Sequence, residues 1–308
     1  MQKTNVLPTE AHVVKLTAEQ KQFYADNGHL SVLGIAPRDE ILEIRAIIHN
    51  LFEERIGEKE GAYAELIAGT EEPEEANSPQ ILSVVNYAPS LHQTQCFRNA
   101  LAIAKQLLGE DARFFLDLSI MKAARIGQAT PWHQDAAFRD PRFEYNELAI
   151  WVPLQDVSAE SGCLQFVSGS HKEPLLEHHS MNDDSSSQAL ECVGSFDRSA
   201  ARAYPLSMGS CTIHHPGTLH CSSPNQSGKP RYAYIMVFST VPKPAIEPRT
   251  FPWLENRETP AQVRKRQWMR RGGMLITIFR RLRRGDLSSW DSLVYWVKRS
   301  VRTVLKGA

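Results

Sequence analysis

This sequence predicts an α+β protein built on a β-sandwich or barrel, and three observations carry that reading. Helix-period segments dominate the first third. Short strand-like runs bounded by Gly, Pro, Asn or Ser follow them. Hydrophobic residues make up 42% of 308 positions, enough for a substantial core. The 35 basic and 35 acidic side chains cancel, which argues against a dedicated nucleic-acid binder.

The elements follow in order. Thr17 is placed to cap a helix starting at Ala18, with Gln20 completing a capping box and Asn27-Gly28 ending the helix. His29 to Ile35 reads as a short strand. Pro37-Arg38-Asp39-Glu40 opens a second helix, in which Ile41, Ile44, Ile48, Leu51 and Phe52 recur at helical spacing. Residues 57–80, with the acidic run Glu71-Glu72-Pro73-Glu74-Glu75, read as a solvated loop or a lid over a site. Thr94 to Leu108 predicts a further helix. Arg113 to Met121, Leu148 to Val152, Cys163 to Val167, Ser210 to His214 and Arg231 to Thr240 read as strands. Residues 173–203 form a long polar insertion, which is expected to be functional or disordered.

Beyond Glu255, Lys and Arg far outnumber Asp and Glu, so residues 250–308 read as a basic, helical extension to a domain over 1–249. Apolar residues beside Arg280 to Arg284 would give an amphipathic surface for anionic lipid or a protein partner, against the plainer reading of a helix packed on the domain. Trp290 to Leu305 is another helix-like stretch. The five cysteines form no C-x-x-C pair and suit reduced thiols. The N-terminus shows no apolar signal segment, and no run reaches the ~18 apolar residues that span a bilayer. Together these point to a cytoplasmic protein.

The chemistry concentrates at Thr130-Pro131-Trp132-His133-Gln134-Asp135. Along an extended strand, residues two apart face one side, so His133 and Asp135 can reach one metal. One more histidine completes a 2-His-1-carboxylate triad, a donor set suited to Fe(II) that leaves coordination positions open. His214, His215 and His220 compete for that place. His220 is favoured because Arg231, after a ten-residue gap, opens an apolar strand that can return beside the metal. His215 stands second. Arg231 then offers a planar fork for the far carboxylate of 2-oxoglutarate.

At these residues the sequence resembles the phytanoyl-CoA dioxygenase family. The resemblance runs over roughly residues 15–243. It is carried by Leu16 to Gln20, Met121-Lys122, Thr130 to Asp135, Trp151 to Leu154 with Asp156, Glu160 to Leu164, Val167 to His171, and His220, Ser222 and Arg231. It implies a double-stranded β-helix of the jelly-roll, cupin-like kind. It implies Fe(II) at His133, Asp135 and His220, with 2-oxoglutarate and O2 as co-substrates and succinate and CO2 as products. Lys122 and Ser222 match positions that help hold 2-oxoglutarate, and Trp132 and Phe138 flank the ligands as candidate pocket residues. Halogenating relatives lack the carboxylate ligand, so Asp135 implies hydroxylation or another halogen-free oxidation. Small natural products, amino-acid derivatives and lipids or thioesters are compatible substrates. Two rival readings use the same residues: a non-catalytic jelly-roll binding protein, and a zinc-dependent hydrolase.

Overall fold

The computed structural model of the chain describes residues 13–67, 78–247, 249–255 and 257–284, together with Val294, Val297 and Val301. The acidic run 71–75 and nearly all of the Trp290 to Leu305 stretch lie outside these. Six helices are present among the described residues: α1 (Ala18–Asn27), α2 (Arg38–Glu53), α3 (Gln95–Leu108), α4 (Pro252–Glu255), α5 (Pro260–Trp268) and α6 (Met274–Arg284). The first strands are β1 (His29–Val32), β2 (Tyr63–Glu65), β3 (Pro79–Leu82), β4 (Arg113–Lys122), β5 (Thr130–His133), β6 (Phe143–Glu144), β7 (Glu147–Pro153) and β8 (Leu164–Phe166). They are followed by β9 (His178–Ser180), β10 (Leu190–Cys192), β11 (Arg202–Ala203), β12 (Cys211–His214), β13 (His220–Ser222), β14 (Arg231–Ser239) and β15 (Lys243–Pro244).

Local chemistry explains the helix ends. Thr17 Oγ1 accepts from the Gln20 backbone N–H, and the Gln20 side chain accepts from the Thr17 N–H, closing the expected capping box. Gly28 ends α1 at φ +75°, where L side chains are strained, and a Cβ there would meet His171 Nδ1 at 2.3 Å and Thr218 Oγ1 at 2.5 Å. Its carbonyl accepts from His215 N and Thr218 Oγ1, so the α1 end is tied to the loop before β13. Thr94 caps α3. The Glu40 carboxylate on α2 accepts from the N–H groups of Gln95 and Cys96, placing negative charge at a helix start that favours it. The five apolar residues predicted for α2 are its buried face.

Seven strands form one antiparallel sheet in the order β1-β12-β7-β14-β4-β3-β2, and four form a second in the order β11-β8-β13-β5. The predicted strands appear with ends shifted: those at His29, Cys163, Ser210 and Arg231 are shorter than expected, and those at Arg113 and Leu148 extend to Arg113–Lys122 and Glu147–Pro153. β2 and β3 differ from expectation: Tyr63–Glu65 pairs with Pro79–Leu82 at the sheet edge, inside the stretch read as loop. These short segments offer too few residues for a periodic signal.

On β14 every residue is buried, and the two-residue period divides them. Tyr232, Tyr234, Met236 and Phe238 pack in one cluster with Ile41, Ile44, Ile48, Ile103 and other residues of α2 and α3. Ala233, Ile235 and Val237 pack on the other side with Phe115 and Trp151 of the same sheet and Phe166 of the opposing one. Helices thus cover the outside of the large sheet, and the space between the sheets is left for a site. All five cysteines are free and buried. No helix among the described residues is long and apolar enough to cross a membrane.

Candidate metal centre

Two of the expected ligands meet because their strands pair. β13 runs antiparallel to β5 with His220 directly opposite His133, which brings the two imidazole centroids to 4.1 Å. Gln134 continues the extended backbone for one residue, and Asp135 opens a single 3-10 turn (Asp135–Phe138). The step from His133 to Asp135 therefore keeps both on one side, as the spacing predicts. Asp135 Oδ1 lies 3.6 Å from His133 Nε2 and 3.9 Å from His220 Nε2. One donor atom from each of the three residues falls within 4.8 Å of the others.

The ring orientations are set from behind. His133 Nδ1 lies 2.8 Å from the Pro131 carbonyl, and His220 Nδ1 lies 2.9 Å from the Thr218 carbonyl. Carbonyls can only accept, so each Nδ1 carries its proton and each Nε2 turns a lone pair to the common centre. Burial, followed by the neighbouring His133 and His214, holds His220 well below the usual imidazole range, so it stays neutral. Burial alone would raise the Asp135 carboxyl. The neighbouring His133, the hydrogen bond with His214 and the nearby His220 outweigh it and keep Asp135 well below the usual carboxylate range. The donor set is two imidazoles and one carboxylate, which fits Fe(II).

His214 stands beside the three-residue cluster. It sits on β12 in the large sheet, buried, with Nε2 3.2 Å from Asp135 Oδ2. It takes the carboxylate oxygen that the cluster does not use and so fixes the carboxylate plane. His215 points elsewhere: its Nδ1 accepts from the Gly217 N–H and its ring packs near His171. Sequence spacing placed His214 near the site without revealing this contact, which depends on two sheets facing each other. Replacing His214 with alanine is expected to weaken Fe(II) binding about 10–100-fold, the usual effect of losing a group that orients a metal ligand. Metal titration of the folded variant checks this; unchanged affinity would mean the contact orients nothing.

Arg231 begins β14 and is paired in register with Lys122 on β4. Its guanidinium is buried, stacks 5.5 Å from the Trp151 ring, and has an Nε with no hydrogen-bond partner. Burial depresses its pKa to about 10. A buried cation with an orphaned donor is a receptor for an anion, and Arg231, Ser222, His133, Asp135 and His220 line one cavity of about 1210 Å³.

Lys122 stands differently from the expectation. Its Nζ donates to Ser222 Oγ at 2.6 Å, Ser222 O at 3.2 Å and Ser223 O at 2.8 Å, which uses all three ammonium protons. It does not line the cavity; it clamps the strand that carries His220. Trp132 is also displaced from the expected role. As the neighbour of His133 on a strand it faces the opposite side, where it packs on Phe196 at 5.3 Å with Leu219 and Val167. Phe138 does line the cavity, 6.0 Å from the His133 ring.

Two further walls were not assigned to the site by sequence. The insertion 173–203 folds back as the β9/β10 hairpin, and Gln188, Ala189 and Leu190 line the cavity. The segment after residue 249 contributes Phe251, Leu254, Arg257 and Ala261. It is fastened by Trp253 Nε1 donating to the Ala137 carbonyl and by Arg264 donating to the carbonyls of Glu58 and Tyr63.

Comparison with known proteins adds to this geometry. The family profile described as phytanoyl-CoA dioxygenase (PhyH) matches residues 24–233, over two thirds of the chain. A phytanoyl-CoA dioxygenase domain-containing protein 1 homolog of Caenorhabditis elegans is 29% identical over 140 residues, covering 44% of this chain and 49% of that protein. The chain thus spans about half the length of that curated relative. L-Proline trans-4-hydroxylase of Streptomyces griseoviridis is 27% identical over 180 residues, covering 52% of this chain and 66% of that protein. Among solved structures, EvdO2 of Micromonospora carbonacea var. aurantiaca, complexed with 2-oxoglutarate, superposes with a TM-score of 0.68. It is 28% identical and covers 79% of this chain and 99% of its own. Its likeness extends to the antiparallel, sheet-rich core with flanking helices.

Proposed function

The chain belongs to the phytanoyl-CoA dioxygenase family, and from that premise we propose that it is an Fe(II)- and 2-oxoglutarate-dependent dioxygenase that oxidises a small-molecule or lipid-like substrate. One observation carries the reading. His133, Asp135 and His220 converge at one cavity, and in that same cavity a buried guanidinium, Arg231, has no acid to pair with among the described residues. A zinc hydrolase or a bare binding module gives no reason for the second feature. The naming of a proline hydroxylase and of a 2-oxoglutarate complex among the relatives supports the same class.

Iron bound here, with 2-oxoglutarate and O2, would supply the oxidising chemistry and release succinate and CO2. The chain's own residues have other tasks. His133 and His220 present lone pairs because backbone carbonyls hold their Nδ1 protons. Asp135 supplies charge, and His214 holds its orientation. Arg231 binds the far carboxylate of 2-oxoglutarate, with Ser222 beside it and Lys122 as the positioning residue beneath. Leu118, Ile120 and Ile235 wall the cavity and exclude water from the centre. Adding Fe(II) and 2-oxoglutarate anaerobically is expected to give an absorption band that needs both. A screen of candidate substrates for succinate release, with mass spectrometry for a gain of one oxygen, then identifies the reaction. A wild-type chain that binds neither Fe(II) nor 2-oxoglutarate would overturn the proposal.

The basic C-terminal helix supports a peripheral contact with anionic lipid. On α6 the side chains of Leu275, Phe279 and Leu282 are 69%, 66% and 55% exposed, on a segment that also holds Arg280, Arg281, Arg283 and Arg284. An apolar stripe flanked by arginines matches the boundary of an anionic bilayer. Arg280 is pinned to Glu60 at 2.9 Å, which fixes the helix on the domain. Wild-type chain is expected to co-sediment with phosphatidylserine vesicles in a salt-sensitive way, and the triple change Leu275→Ser, Phe279→Ser, Leu282→Ser to remove the binding. Equal sedimentation with neutral vesicles, or no loss in the variant, would contradict this.

A further inference from the structure

The cavity holds a second buried cation that the dioxygenase reading does not use. Arg257, between α4 and α5, lines the cavity and is only 8% exposed. One terminal nitrogen, Nη2, donates to the carbonyls of Ser187 at 2.7 Å and Gln188, while its Nε is buried without a partner. Among the described residues no carboxylate forms an ion pair with it. Burial lowers its pKa to about 10, with no neighbouring acid to raise it again. Two other arginines of the lining are matched, Arg139 with Glu147 at 2.7 Å and Arg142 with Asp140, while Arg249 is exposed and stacks over the Phe251 ring. Arg257 thus repeats the condition of Arg231, a desolvated guanidinium that lines the cavity with no ion-pair partner among the described residues.

Its position relative to the metal centre is defined by one ring. Phe138 lies 6.0 Å from the His133 ring and 5.9 Å from the Arg257 guanidinium carbon, so it touches both neighbourhoods. The wall shared with this ring is apolar, built from Leu66, Leu118, Ile235, Val237 and Leu254. A cavity of about 1210 Å³ exceeds the need of the co-substrate alone.

We propose that the substrate is an amphiphile whose oxyanion, a carboxylate or a phosphate, is held by Arg257 while its apolar body lies along the Leu118, Ile235 and Leu254 wall toward the metal centre. This rests on the functional reading above and names the substrate class for the same site. A guanidinium supplies paired, planar N–H donors for either oxyanion, and the bound anion supplies the charge that the fold leaves out. Arg257 is therefore a specificity-determining residue: it fixes which end of the substrate stays away from the iron.

The test compares three probes with the same ten-carbon chain: decanoate, decyl phosphate and decan-1-ol. Each is titrated calorimetrically, without oxygen, into wild-type chain loaded with Fe(II) and 2-oxoglutarate. At least one anion is expected to bind tenfold or more tightly than the alcohol; the tighter of the two identifies the oxyanion, and equal binding means that Arg257 accepts both. Arg257→Gln is expected to erase the advantage of the anion, Arg257→Lys to keep part of it, and the absorption band of the iron–2-oxoglutarate complex to stay unchanged in both. Because Arg257 also tethers the β9/β10 hairpin, the wild-type comparison of charged and neutral probes stands whether or not the variants fold. Alcohol binding as tightly as both anions, no anion binding at millimolar concentration, or an Arg257→Gln chain that retains full anion affinity would each overturn the proposal. Were the absorption band absent in wild type, the dioxygenase reading would fail, while the same titrations on the metal-free chain would still decide the role of Arg257.

Discussion

Changing Asp135 to alanine is expected to reduce 2-oxoglutarate turnover to background while leaving the fold intact. The carboxylate is the only anionic donor in the cluster, and it accepts from His214 on one oxygen while facing His133 and His220 with the other. Its removal leaves three imidazoles, His133, His214 and His220, around a space with no negative charge. Such a set still binds soft divalent ions, so zinc affinity is expected to persist while Fe(II) and its 2-oxoglutarate band are lost. Asp135 opens only a short turn, and its neighbours hold their own backbone bonds, including Ala136 N to the Pro216 carbonyl. Circular dichroism and thermal unfolding should therefore match wild type. Asp135→Glu offers the contrast: it keeps the charge but extends it by one methylene, about a bond length too far for a fixed centre, and should restore metal binding more than turnover. Succinate formation by Asp135→Ala at a tenth of the wild-type rate or more would remove Asp135 from the centre.

The sequence made the central pair legible because two physical rules act within a few residues. The two-residue strand period puts His133 and Asp135 on one side, and it does so although Asp135 begins a turn rather than continuing the strand. The same rule speaks against Trp132 as a pocket residue, since it alternates with His133; proximity along the chain was a weaker guide than parity. His220 and Arg231 were found by the length of chain between them, which suits one excursion from β13 and a return on β14. The brace at His214 and the clamp at Lys122 depend on contacts between the two sheets and across strands far apart in sequence, which no local pattern encodes. Composition obscured the C-terminal segment. Its basic residues suggested an appendage beyond 249, whereas Arg257 and Arg264 donate to carbonyls of the domain, and Phe251 and Leu254 line the cavity. Long-range hydrogen bonds of this kind leave no periodic trace.

Arg231 provides the second large effect, because binding and stability should move in opposite directions. Its guanidinium is buried with no acid beside it among the described residues, and burial lowers its pKa from 12.5 to about 10. The sign follows from linkage. A base with a depressed folded-state pKa opposes folding at every pH where it is charged in both states, that is, below about 10, and the opposition relaxes only as pH rises from there toward 12.5. At neutral pH the cost is constant and on the order of 3 kcal/mol by the usual conversion of pKa shift to free energy. Arg231→Met preserves much of the volume and removes the charge, so the chain without co-substrate is expected to melt higher, by about 2–4 °C for each kcal/mol recovered. Binding goes the other way. Losing one partner of a buried ion pair costs about 2–5 kcal/mol, which is roughly 30-fold to several thousand-fold in the KM for 2-oxoglutarate. Arg231→Lys keeps charge without the planar fork and should fall between the two. Thermal shift with and without 2-oxoglutarate separates the possibilities: wild type is expected to gain stability on adding it, and Arg231→Met to start higher and gain little. An arginine that served only the fold would show the reverse pattern, a lower starting Tm with an undiminished 2-oxoglutarate response, and that result would detach Arg231 from the co-substrate.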